Sequence, residues 1–455
     1  MALQLPGIIV RIVNDTGIVA PPLYERYPVY IGEGDPYKLI SNQRVVRSAG
    51  VVDNLVSGST INEIVSVGDL PGVAKYVDGT DYTLVTGNKI SWNPAGSEPT
   101  VGNNYYVTFT ETRAASAYVP TLYFNENLIY EDHGNKTRTN GNINDVSVGG
   151  YLGLQAGSTG VIIAQLDLSS ATDPDSPTGQ ELENAFTAMV DELEKITGYK
   201  LFLVPMSSGT LNTTSAANIM FNHAVLASEP TQKQERTVIA SLPQSTAYTD
   251  AAAFAMSYAH SRMVVPFPYN GISKVNGFTS NYDSRFYSAA LAGKICSVGI
   301  GINISDEIIP NVTVTDNYSP EVETWLVGRG VGPVRIKGEV LRNVFIGTTD
   351  TTSALTEDLG VQDVGDYVKK YLREQLWVLY RNKPINEDLL TSVDGSVTNI
   401  LKYLIKEVVI ADYKNVSVTQ DSTEPRKINV TASVQPAFGM QYMDITFTFV
   451  LSFSS

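Results

Sequence analysis

The last thirteen residues, "MDITFTFVLSFSS" (443–455), constrain the fold most. Met443, Ile445, Phe447, Phe449, Leu451 and Phe453 alternate with Asp444, Thr446, Thr448, Val450 and Ser452. Such period-2 alternation of β-branched and aromatic residues marks a half-buried strand. At about 3.3 Å per residue, the stretch from Met443 to Phe453 reaches roughly 36 Å, well beyond the usual strand of about five or six residues. A long apolar strand at a chain end presents a row of backbone groups that another chain can pair with. This strand therefore needs a partner, in its own chain or in a neighbour.

The chain has 455 residues, enough for about two to four domains. Its hydrophobic content of 43% and charged content of 17% describe a folded, rather polar protein. A net charge of −15 argues against direct nucleic-acid binding, which needs a cationic footprint. Cys296 is the only cysteine, so no intramolecular disulfide framework exists. Its apolar surroundings, "AALAGKICSVGIG", are those of a thiol packed as a small hydrophobe. No run reaches the roughly 18 apolar residues of a membrane span, so stable membrane insertion is not expected. The start, "MALQLPGIIVRIVND", lacks the basic leader of a signal peptide, and folding in a cytoplasm is expected. On that basis the Asn-x-Ser/Thr matches, such as Asn135 and Asn212, are read as chance.

Four regions differ in pattern. Residues 1–22 hold a short apolar strand, "GIIVRIV", ahead of Pro21-Pro22. Residues 23–115 are rich in Gly, Asn, Thr, Tyr and Val, and "YVDGTDYTLV" and "NNYYVTFT" read as short strands between turns, hence a small β-sandwich. From 116 to 335, apolar strands such as "KLFLVPM", "RTVIASLP" and "RMVVPFP" alternate with helical stretches. That order predicts an α/β domain with a largely parallel sheet. In "ELENAFTAMVDELEKITG", Leu182, Phe186, Met189, Val190, Leu193 and Ile196 fall at helical spacing and Gly198 is placed as a C-cap.

Residues 336–455 form the fourth region. "DVGDYVKKYLREQLWVLY" predicts a helix with Asp363 as N-cap and Val364, Val368, Leu372, Leu376 and Leu379 facing inward. A second helix is expected to start at Asn386, followed by "NVSVTQ", a turn at "DSTEPRK", "INVTASV", a break at Pro436 and the terminal strand. The class is therefore α+β and multidomain. No internal repeat, low-complexity tract or long linker interrupts it.

Chemistry-bearing motifs are missing. His133, His223 and His260 have no His or Cys partner at metal-binding spacing. "GRGVGPVR" (328–335) is glycine-rich without the G-x-G-x-x-G spacing and precedes a strand, whereas a phosphate cradle needs helix-terminal N–H groups. "AGKICS" lacks the upstream glycine and the hydroxyl of a P-loop. His133 in "EDHGNKT" invites comparison with a protease base, but no activated serine follows, and it is read as a loop residue. The expectation is a non-enzyme with no catalytic residue, cofactor or metal.

Read in order, the segments resemble one family, the contractile tail sheath proteins of myovirus-type bacteriophages. "LPGIIVRIV" is similar to the family's opening, and "DYTLVTGNKISWNPAGSEPTVGNNYYVTFT" to its β-sandwich. "HAVLASEPTQKQERTVIASLP" and "YSAALAGKICSVGIGINISDEII" resemble its middle domain, and the stretch from "DVGDYVKKYL" to "VQPAFGMQYMDITFTFVL" carries the most specific likeness. The surface segment "MVVPFPYNGISKVNGFTSNYDSRF" (263–286) departs from the family pattern.

The resemblance implies a subtilisin-like but non-catalytic middle domain, an inserted outer β-sandwich and a C-terminal assembly domain of two helices and an antiparallel sheet. It implies a homo-oligomeric helical sheath around a tail tube, bounded by baseplate and tail terminator proteins, in a virion assembled in the host cytoplasm. In such a sheath, arms pass between subunits by strand exchange. Ile8, Ile9, Val10 and Ile12 would belong to one arm, and Ile445, Phe447, Phe449 and Leu451 to the other. Lys369, Lys370 and Arg373 form a cationic segment that the resemblance makes a candidate tube contact. The sheath of a phage-tail-like bacteriocin or other injection system fits equally well, and a baseplate or receptor-binding virion protein fits less well.

Overall fold

A computed structural model describes residues 25–437, apart from 58, 114–117, 139, 175, 207–209, 230–231, 244–245, 269–273, 276–283, 303, 305–306, 314–316, 338–339, 344–346 and 353–357. Both expected arms, with Ile8, Ile9, Val10, Ile12, Ile445, Phe447, Phe449 and Leu451, lie outside the described residues.

The chain enters the central sheet at once with β1 (Arg26–Gly32) and then leaves it for a β-rich excursion. The excursion holds β2 (Tyr37–Val46), β3 (Val52–Asn54), β4 (Ile61–Gly68), β5 (Tyr82–Val85), β6 (Lys89–Trp92) and β7 (Asn104–Thr112). It returns through β8 (Thr121–Tyr123), α1 (Glu126–His133), α2 (Asp145–Gln155), β9 (Val161–Gln165), α3 (Gly179–Glu194), β10 (Lys200–Met206), α4 (Thr210–Ala227) and β11 (Arg236–Ile239). Then come α5 (Tyr248–Tyr258), β12 (Met263–Phe267), β13 (Lys274–Val275), α6 (Arg285–Ser297), β14 (Val312–Thr313), α7 (Pro320–Val327), β15 (Val331–Lys337) and β16 (Val340–Asn343). The last elements are α8 (Leu359–Tyr380), α9 (Glu387–Lys406), β17 (Ile410–Gln420) and β18 (Ile428–Pro436).

The central sheet has eight strands in the order β16-β15-β12-β11-β10-β1-β9-β8. β9, β1, β10, β11, β12 and β15 run parallel, and β8 and β16 close the two edges antiparallel. Its parallel strands are apolar on both faces because each face is covered. Phe202, Val204 and Met206 join Tyr30 and the helices α1, α2 and α6 on one side. Leu201 and Leu203 join Val29, Ile31 and the helices α3, α4, α5 and α7 on the other. This explains why "KLFLVPM" is continuously apolar rather than alternating.

β1 corrects the first domain boundary drawn from sequence, which assigned residues 23–115 to the β-sandwich. All seven residues of β1 are buried, and it pairs in parallel with both β10 and β9. The excursion proper thus starts at β2, whose Tyr37 pairs with Thr112 at the end of β7. Its two three-stranded sheets, β2-β7-β4 and β3-β6-β5, enclose their own core. Trp92 is 1% exposed there, donates from Nε1 to Asp53 Oδ2 at 2.8 Å, and meets Tyr105 edge-on at 5.2 Å.

Helix boundaries also differ from the sequence reading where capping chemistry decides them. α3 starts at a capping box made by Thr178 and Glu181 and stops at Glu194, while Gly198, at φ +91°, turns the chain toward β10. α8 is capped by Asp358, whose carboxylate accepts the Gly360 N–H at 2.7 Å, and not by Asp363, which sits inside the helix. α9 begins as expected, with the Asn386 side chain accepting the Leu389 N–H.

α8 joins two cores. Leu359 packs into the core of the central sheet, while Val364, Tyr367, Val368 and Tyr371 pack with Val393, Val397, Ile400, Leu401 and Leu404 of α9. The hairpin β17–β18 lies on this second core through Val416, Val418, Val430 and Val434.

Candidate assembly site

Four of the six parallel strands have a cation at or just before their start. Arg26, Lys200 and Arg236 open β1, β10 and β11, and Arg262 stands just before β12. The amino edge of the sheet therefore carries a row of positive charge. α8 brings two carboxylates to this row, Asp363 and Asp366, one turn apart on a single helix face. Arg26 donates to Asp363, Lys200 donates to Asp366, and Arg262 grips Asp366 with both terminal nitrogens, one of them at 2.8 Å. All five side chains are buried.

Such a joint fixes geometry more than it adds stability. Removing ions from water costs several kcal/mol each, and pairing them roughly offsets that loss, but deleting one partner strands the other. Burial by itself raises a carboxyl pKa, yet Lys200 and Arg262 outweigh it and hold Asp366 well below the usual carboxylate range. Asp366 is thus ionised throughout the neutral range, and α8 is fastened to the feet of β1, β10 and β12.

The three cations named as candidate tube contacts, Lys369, Lys370 and Arg373, fall in two different surroundings on α8. Lys370 and Arg373, three residues apart, point at the central domain: Lys370 donates to the Gly198 carbonyl and Arg373 pairs with the buried Glu235. Lys369, rotated about 100° from Lys370 by the helical repeat, is exposed. Beside Lys370 and Arg373 opens a cleft of ≈ 790 Å³ between α8 and the β17–β18 hairpin. Lys233, Arg381, Lys383 and Arg426 add positive charge to it, and Trp377 stands on its lining, 66% exposed.

The hairpin is the second element of the site. β17 and β18 pair antiparallel from Ile410↔Pro436 to Gln420↔Ile428, and Asp421 organises the turn by accepting from Thr423 and Glu424 N–H groups. Among the described residues neither outer edge carries a third strand. An edge of this kind is where strand addition takes place, through a ladder of backbone donors and acceptors.

The remaining polar clusters have the marks of scaffolding. His133 is not a loop residue but the last residue of α1, 1% exposed, with Nδ1 at 2.8 Å from Gln165 Oε1 and Nε2 at 3.0 Å from the Tyr123 hydroxyl. Chain connections diverge from β1 at its carboxyl end, where open α/β sheets commonly bind ligands. Among the described residues, paired charges stand beyond this end of β1, Arg138 with Glu33 at 2.8 Å and Arg285 with Asp145 at 3.0 Å. Burial pushes the Cys296 thiol up to about 12, so it is protonated at neutral pH. His223 is pushed down to about 4 by burial and by neighbouring Arg236. Among the described residues no three His, Cys, Asp or Glu side chains are placed to share a metal ion.

In sequence, no curated protein matches the chain. Residues 38–122 match a domain of unknown function, DUF4815, over the β-rich excursion and its return. In structure the likeness runs nearly end to end. A chain of the sheath complex of an extracellular contractile injection system, PVC, in its contracted state matches with TM-score 0.56 and 10% identity, covering 99% of both chains. A chain of the anti-feeding prophage baseplate matches with TM-score 0.54 and 12% identity, covering 99% of this chain and 100% of that one. The sheath tail protein of Listeria innocua matches with TM-score 0.51 and 9% identity, covering 92% and 93%. At these identities the likeness carries the fold, and the chain has the fold of contractile tail sheath proteins.

Proposed function

We propose that the protein is the structural subunit of a contractile sheath, a helical stack of rings around a tube that shortens and drives the tube into a target envelope. The observation that carries this reading is the end-to-end likeness to a chain of a contracted sheath complex, joined to a hairpin that pairs with no third strand among the described residues. In this reading the arms of neighbouring subunits, through Ile8, Ile9, Val10 and Ile12 and through Ile445, Phe447, Phe449 and Leu451, add strands to β17 and β18. Main-chain hydrogen bonds then keep subunits tethered while they rotate and slide as rigid bodies. Many weak junctions act together, and their head-to-tail geometry builds an open helix.

The buried joint supports the mechanical part of the reading. Force taken up at the hairpin passes through α8 into the central sheet by way of Asp363 and Asp366, so each subunit moves as one body. The central domain takes the part of the subtilisin-like, non-catalytic domain, and the β-rich excursion lies on the outside. A tail tube protein, baseplate and tail terminator are the expected partners, and a phage tail assembled in the host cytoplasm is the expected setting. The likeness to PVC and anti-feeding prophage chains favours a second setting for the same machine, a phage-tail-like injection system. Electron microscopy of the purified chain tests the class: striated tubes or ring stacks support a sheath, and a discrete closed particle contradicts it.

A further inference from the structure

Asp363 and Asp366 share one face of α8, yet their carboxylates are served unequally. Asp366 has both oxygens engaged. Its Oδ2 accepts from Lys200 and from Arg262, and its Oδ1 accepts from Arg262 Nη2 at 2.8 Å and from Gln362 Nε2 at 3.1 Å. Asp363 has one oxygen engaged, Oδ2, which accepts from Arg26 Nη1. Its Oδ1, on a residue 3% exposed, is buried and meets no donor among the described residues. A buried acceptor without a donor carries its full desolvation penalty, so in folded proteins such atoms are met by protein, water or an ion.

A cavity of ≈ 20 Å³ lies beside this carboxylate. Arg26 and Asp363 form its polar wall, and Phe202 of β10, Ile295 of α6, Ile304 and Leu359 of α8 stand on its apolar side. A single water needs at least about 10–15 Å³, so the space takes one small occupant. Charge selects among occupants of that size. Three cations, Arg26, Lys200 and Arg262, face two carboxylates, Asp363 and Asp366, and this surplus of one positive charge disfavours a metal ion. A halide would lie against the Asp363 oxygen. A neutral molecule that donates to Oδ1 and accepts from the guanidinium, a group with five N–H donors, suits both walls.

We propose that the joint between α8 and the central sheet holds one internal water, bound by Asp363 Oδ1 and Arg26. The water supplies the donor that Asp363 lacks, and one guanidinium then suffices for this carboxylate where Asp366 takes two cations and an amide. Because its walls come from β1, β10, α6 and α8, the water sits where the helix meets the sheet and the helix covering it. It belongs to the fold of the single subunit, and the inference stands apart from the sheath reading.

Crystallography of the full chain, at a resolution that shows ordered waters, tests this. The expected result is a single density peak about 2.5–3.0 Å from Asp363 Oδ1 and about 2.7–3.2 Å from a nitrogen of Arg26. Asp363→Asn keeps a polar atom at the cavity, toward which the water can accept instead of donate, and is expected to retain the peak. Asp363→Leu removes that atom, puts an apolar side chain in its place and is expected to lose the peak. A wild-type cavity without density, a protein donor on Oδ1, or a peak ringed by several oxygens at about 2.3–2.6 Å, the mark of calcium, would overturn the proposal. So would a peak that survives in Asp363→Leu. Should Asp363→Leu fail to fold, the other two maps decide, and loss of the peak in Asp363→Asn contradicts the assignment.

Discussion

Asp366 bonds to Lys200 across 166 positions of sequence, at the foot of the strand beside β1. The contact ties the helix that bears the hairpin's core to the middle of the eight-stranded sheet. Asp366→Asn is expected to destabilise the folded chain by about 3–5 kcal/mol, because it leaves Lys200 and Arg262 buried against a neutral amide. Denaturant unfolding at pH 7 measures the loss.

The same carboxylate sets an acid dependence with a definite sign. Its pKa in the fold lies below that of an unfolded aspartate, near about 3.9. The stability it contributes is therefore fully present above about pH 5 and is lost as pH falls toward the folded value. Unfolding free energies at pH 6 and pH 3 should fall more steeply for the wild type than for Asp366→Asn. Parallel curves would mean that Asp366 is not the ionised centre of the joint.

Charge reversal separates the cations of α8. Lys369→Glu alters an exposed position and should change unfolding by no more than about 0.5 kcal/mol. Arg373→Glu faces a new carboxylate with the buried Glu235 and should destabilise the monomer clearly. If Lys369 meets a tube, its reversal alone weakens co-sedimentation of sheath and tube while self-assembly persists. Unchanged co-sedimentation removes Lys369 from the tube contact.

The β-rich excursion should be separable. Tyr37 and Thr112 are paired neighbours, so replacing residues 38–111 by a short glycine-rich turn needs no stretch of the central sheet. The shortened chain is expected to fold and polymerise. A folded variant without tubes would place the excursion in the lattice rather than outside it.

Much of the interior was legible because burial on both faces leaves a plain mark. "KLFLVPM" coincides with β10, and Asn386 announces α9 through its capping chemistry. β1 was misassigned because "RYPVYIG" precedes a long β-rich stretch, and only pairing across 174 positions places Arg26 beside Lys200. The joint was missed for the same reason: Asp363 reads as a cap when its partner, Arg26, is 337 positions away. One signal was present in the sequence, a cation at or just before the start of β1, β10, β11 and β12. Lys369, Lys370 and Arg373 looked alike as a charge run, but helical rotation sends them to different surroundings.

Exchange of terminal strands between subunits is tested by comparing the full-length protein with a chain lacking residues 443–455. The deleted strand carries Ile445, Phe447, Phe449 and Leu451, and burying each such side chain is worth about 1.5–3 kcal/mol at most, before the cost of ordering. Electron microscopy of the full-length chain is expected to show striated tubes, and the truncated chain none, with nearly the same melting temperature for the two monomers. Tubes formed without the strand, or a truncated monomer that no longer folds, would contradict strand exchange as the link between subunits.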